Sequence, residues 1–247
     1  MRDFRSLQSL CTAAQHRPMP QTLERPPIPV VVQQHAEESA MLRHVRSVLV
    51  RAPHVRLRHL RRLDDRIAAH LDGLAVAGRH GTALCTAALE RPGAGEVFAL
   101  AVRLIDERDE AALERLVALA GVLPDAKRGL LSALGWVSAP QLQGLVRPLL
   151  ESADPMRRQL GIGACRLHGV DPGTPLRSAL RDDDAGLRAA AFRAAGELGQ
   201  GDAMAAALGA LSDGDEEVAF RAAAMRCAHS TPWPSAMACS AIRPRAC

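Results

Sequence analysis

The sequence predicts an all-α protein built as a stack of helix pairs, an α-solenoid, and three observations carry that expectation. The apolar content is 48% of 247 residues but only six residues are aromatic and none is Tyr, so it consists almost wholly of Ala, Leu and Val. Ala and Leu lose little side-chain entropy in a helix, whereas strands favour β-branched and aromatic residues. Next, Leu57, Leu60, Leu63, Ile67, Leu71 and Leu74 recur at spacings of three and four, which is one face of an amphipathic helix. Finally, the chain aligns with itself at a fixed interval from residue 142 onward.

Taken in order, residues 1–29 are expected to form a flexible Pro-rich leader, marked by Pro18, Pro20, Pro26, Pro27 and Pro29. An N-terminal helical region is expected over 30–123. Its first helix spans Gln34 to Val50 and stops before Pro53, and the second carries the Leu57–Leu74 stripe. Further helices follow around Val97–Ile105 and Ala111–Ala120, with Pro92-Gly93 and Asp106 to Asp109 as breakers. Residues 124–225 hold the repeats, beginning with a helix over Lys127–Trp136 after Pro124-Asp125.

The repeat has a period of 31: Leu149, Leu180 and Leu211 share one column, Glu151, Asp182 and Asp213 the next, Met156, Leu187 and Val218 a third, and Leu160, Ala191 and Ala222 a fourth. Each unit reads as a helix ending near the first Leu, an acidic turn, and a second helix. An Asp in such a turn caps the following helix by accepting free backbone N–H groups. A single helix pair cannot bury its apolar face until a neighbour stacks on it, so the period implies stacking. Residues 226–247 break the columns and gather three of the six Cys and three Pro. They read as an irregular tail in which the stack is cut short, as a frameshift or truncated reading frame would leave it.

The repeat turns, with Arg157 and Arg188 following the first apolar residue of the second helix, resemble the HEAT repeat, in which a turn Asp and an Arg opening the second helix interact down the stack. A more specific set of residues is Ile28-Pro29-Val30-Val31, Gln34-His35-Ala36-Glu37-Glu38, Leu63-Asp64-Asp65-Arg66, Ala69-His70-Leu71-Asp72-Gly73-Leu74, Gly95-Glu96-Val97-Phe98 and Ser132-Ala133-Leu134-Gly135-Trp136. This set resembles a bacterial family of HEAT-repeat proteins of unassigned activity, encoded with type VI secretion system genes. The resemblance spans residues 28–224 and implies association with a secretion apparatus, not a reaction.

Chemical motifs are scarce. The chain contains no Gly-x-Ser-x-Gly, no His-Glu-x-x-His and no phosphate loop. Gly161 and Gly163 lie within an expected helix, where close packing explains them. Seven of nine His fall in the first eighty residues, but no two of them are four apart on one helix, as a two-ligand metal face requires. The acidic runs at 182–184 and 213–217 lack the alternate ligand spacing of a calcium loop. No catalytic residue, cofactor or metal is expected, nor a small-molecule substrate. The six Cys form no Cys-x-x-Cys pair. No apolar run reaches the eighteen or so residues that span a bilayer, which points to the cytoplasm.

The expected function is a protein-interaction scaffold. Candidate interaction residues are His35, Glu38, Asp64, Asp65, Arg66, His70, Trp136, Arg157 and Arg188; Trp is enriched in binding hot spots, although packing is the simpler role for Trp136. The alternative is nucleic-acid backbone binding through the N-terminal helices. Residues 1–62 hold 11 Arg against 4 acids, and the remainder 20 basic against 23 acidic groups. Such a basic region suits phosphates or an acidic protein surface.

Overall fold

The structure, a computed structural model, describes residues 27–230, and among them the chain forms twelve α-helices and no strand. The all-helical class is as expected. The leader through residue 26 and the tail from residue 231 lie outside the described residues.

Helix α1 (Pro29–Leu49) begins five residues before the expected start, with Pro29 in the first turn, where its missing N–H leaves nothing unsatisfied. Helix α2 (Leu57–Val76) buries Leu60, Leu63, Ile67, Leu71 and Leu74. Leu57 departs from the expected stripe: as the first residue of α2 it stands 70% exposed. A helix the sequence did not announce, α3 (Arg79–Ala87), follows at once. The chain turns into it at Gly78, whose φ of +54° suits glycine.

Helix α4 (Ala94–Glu107) runs through Asp106 and Glu107, which read as breakers. Both carboxylates pair with the buried Arg103 one turn back, so they support the helix instead of ending it. The end comes at Arg108, in left-handed conformation at φ +57°. Asp109 then caps α5 (Glu110–Val122) by accepting the N–H of Ala112. Next come α6 (Pro124–Trp136), α7 (Val146–Leu150), α8 (Pro155–Leu167), α9 (Thr174–Ala179), α10 (Ala185–Glu197), α11 (Met204–Gly209) and α12 (Glu216–Ser230). The turn acids cap as anticipated: Asp154 accepts from Met156, Asp184 from Leu187 and Asp215 from Val218. Helix α12 continues past residue 226, where the repeat columns fail. Nothing between there and Ser230 breaks a helix, since the first proline is Pro232.

Helices α1, α4, α6, α8, α10 and α12 pack each against the next. The others flank this row, α2 and α3 on α1, α5 on α6, α7 on α8, α9 on α10 and α11 on α12. Two apolar cores result, meeting across α8: Leu160 and Ala164 join a core centred on α4, while Ile162 joins one built from α9 to α12. The repeat columns fall on the core, with Leu160, Leu187, Ala191, Val218 and Ala222 fully buried, whereas Leu211 is 38% exposed. Gly161 and Gly163 are where α8 passes closely over Leu150 and Leu131, so the packing explanation for them holds. Among the described residues, no helix is long and apolar enough to cross a membrane.

Candidate functional site

Six of the nine residues singled out from the sequence fall on one hairpin, formed by α1 and α2. The two helices meet along a polar seam. The Arg46 guanidinium donates to both carboxylate oxygens of Asp64, Arg66 approaches Glu38 at 3.8 Å, and the Nδ1 atoms of His35 and His70 lie 3.0 Å apart with their rings edge to face. The next turn of α2 presents Gly73 to the His35 ring, and a Cβ there would sit 2.5 Å from it. His35, Glu38, Asp64, Arg66 and His70 thus act across the hairpin. Asp65 is exposed and, unlike the other charged residues of the six, has no ion pair among the described residues.

The imidazole contact has a pH consequence. A hydrogen bond between two Nδ1 atoms needs one of them unprotonated, and two protonated rings would turn two N–H donors toward each other. His70 is held below its ordinary value of 6.5, first by burial, then by the His35 ring and Arg66, with Glu38 opposing. The sign follows: a base whose folded pKa is depressed contributes stability above its unfolded pKa and loses it as pH falls through the folded value. Denaturant midpoints at pH 7.5 and 5.5 should therefore differ more for the parent chain than for His70→Gln. The role of the pair fails if both proteins lose the same stability between these pH values.

The remaining three candidates are dispersed. Trp136 is half-buried and packs edge-on against Phe98, with centroids 5.6 Å apart. Arg188 donates to Asp213 through Nε and Nη2 at 3.0 and 2.8 Å and also reaches the carbonyls of Asp182 and Asp183. Arg157 occupies the matching column but pairs with Glu114 on α5. Its neighbour Arg158 takes the equivalent acid, Asp182, at 2.7 Å. Asp213 is drawn below the usual carboxylate range by the Arg188 hydrogen bonds. For Asp182, burial pushes upward but the Asp184 N–H and Arg158 prevail, leaving it below that range.

Two features escaped the sequence reading. Arg103 is a buried cation, 4% exposed, clasped by Asp106 and Glu107, and these in turn accept from Gln141 and Thr82. Nearby, burial pushes the Cys85 thiol up to about 11, so it is not a nucleophile at neutral pH. The second feature is a row of exposed cations. Arg51, Arg56, Arg58, Arg61 and Arg62 crowd the closed end of the α1–α2 hairpin and the first turns of α2, with no ion pair among the described residues. Basic composition hinted at them, but only the fold shows that they remain uncompensated.

Among the described residues, no group of three or more His, Cys, Asp or Glu is placed to hold a metal ion. A shallow groove lined by Leu150, Ser152, Arg158, Ile162, Thr174 and Ser178 opens where α7, α8 and α9 meet. No protein-family model, no curated protein and no solved structure matches the chain.

Proposed function

We propose that this chain is a HEAT-type helical-repeat protein serving as a protein-interaction scaffold, and that its association is with a type VI secretion apparatus. The observation that supports the scaffold reading best is a set of polar links between successive helix pairs from α6 to α12. Arg158 reaches Asp182 and Arg188 reaches Asp213, Lys127 reaches Gln159, which donates to Asp184, and Arg166 reaches Glu197 one full period away. Repeated inter-unit contacts of this kind are what a quasi-one-dimensional stack requires. Such a stack offers a long surface on which side chains, not an enclosed pocket, do the binding. The secretion link rests on the resemblance of the α1–α2 seam residues and of the blocks around Phe98 and Trp136 to the secretion-associated family.

Affinity capture with the full chain from a bacterium assembling this apparatus tests the proposal. Enrichment of apparatus components that persists in high salt is the expected result. Recovery of nucleic acid alone, lost as salt rises, would overturn it.

A further inference from the structure

We infer that the closed end of the α1–α2 hairpin is a docking surface for an acidic amphipathic helix of a partner protein, which lies along the exposed face of α2. This rests on the scaffold reading and gives that reading a site. Arg58 and Arg62 are four residues apart, about 6 Å along a helix, and Arg66 stands one further step on, still 62% exposed although it reaches Glu38 at 3.8 Å. Carboxylates at intervals of four on a partner helix recur at the same spacing, and Arg suits them because its planar guanidinium donates in pairs. Arg51, Arg56 and Arg61 widen the positive field at the same end.

The surface is not uniformly basic, and that selects the occupant. Leu57 is 70% exposed, and Val48 and Val50 stand open at the same end of the hairpin. A phosphodiester backbone has no use for three aliphatic side chains, whereas the apolar edge of an amphipathic helix does. An anionic lipid surface could use them, but interfacial segments add aromatic anchors and residues 44–66 contain no Phe, Trp or Tyr. Exposed Asp65 interrupts the row between Arg62 and Arg66. It would repel phosphate and lipid headgroup alike, but can pair with one basic residue on a polypeptide and so set its register.

The test uses the full chain and three probes: a labelled helical peptide with Glu along one edge and Leu along the next, a random-sequence DNA duplex, and phosphatidylglycerol vesicles. The peptide is expected to bind best, with its affinity falling roughly tenfold or more for Arg58→Glu/Arg62→Glu and about fivefold for Leu57→Ser. Both sites are on the surface, so an unchanged circular dichroism spectrum identifies the loss as one of binding. Preference for the duplex or the vesicles, indifference to Leu57→Ser, or no binding by any probe at low salt would each overturn the inference. Capture of secretion components that is unaffected by Arg58→Glu/Arg62→Glu would leave the scaffold reading standing without this site.

Discussion

Truncating Phe98 to alanine should lower the unfolding free energy by about 3–5 kcal/mol, the range for removing a buried aromatic ring. Phe98 has no exposed surface and lies at the centre of the first core. Its ring meets the edge of Trp136 on α6 and carries the guanidinium of Arg43 on α1 at 5.6 Å. The Arg43 guanidinium is itself held by Ser132 of α6, so the ring helps to fix a tie between α1 and α6. Its loss leaves a cavity and an under-packed cation, and burial already depresses the pKa of Arg43. Against a total stability of about 5–15 kcal/mol, such a loss is a large fraction. Thermal melts should show a midpoint lower by roughly 6–20 °C. Phe220 provides the internal comparison: at 60% exposure, its replacement by alanine should change stability by no more than about 0.5 kcal/mol. Equal losses for the two would contradict the placement of the core.

The contrast between these two phenylalanines shows where the sequence is legible. Periodicity exposes whatever repeats locally. The α2 stripe and the columns holding Leu187, Val218, Ala191 and Ala222 are therefore readable, and apart from Leu57 these residues are buried. Turn acids are readable because a cap is a local bond, as Asp184 and Asp215 show. Contacts closed by the tertiary fold are not. His35 and His70 are 35 positions apart, and no helical spacing relates them. Gly73 is one letter of a motif in the sequence, and only the fold sets the His35 ring against it. Asp182 is linked to Arg158 where the columns select Arg157, and Arg157 is instead paired with Glu114 of α5, a residue 43 positions away. The exposure of Leu57 is not legible from its place in the stripe, because only the fold shows that α2 begins there. Candidate residues chosen from the sequence thus mostly hold the hairpin together, and the exposed arginines beside them, Arg51, Arg56, Arg58, Arg61 and Arg62, are the ones without an ion pair.

Replacing Gly129 with valine should be nearly as damaging as the loss of Phe98, for the opposite reason. Helix α6 crosses α4 so closely that a Cβ on Gly129 would lie 2.5 Å from the Ala94 carbonyl oxygen and 2.9 Å from the Val97 Cβ. On the other side of α4, Gly95 faces the backbone of Ala40 with no more room. Helix α4 is therefore gripped between α1 and α6 by two contacts that only glycine permits, and the obstacle is backbone, which cannot rotate away. Overpacking of this kind costs about 1–3 kcal/mol and sometimes more, and the branched valine at a main-chain contact belongs at the upper end. Gly129→Ala gains about 1 kcal/mol of helix propensity and should still be destabilised, because the clash begins at Cβ. Gly209 supplies the control: it ends α11 with ordinary helical φ, and a Cβ added there would meet nothing within 4 Å. Gly209→Ala should be neutral or stabilising by up to about 1 kcal/mol. Urea denaturation of the three variants separates the cases. A Gly129→Ala protein as stable as Gly209→Ala would show that α4 and α6 do not approach as described.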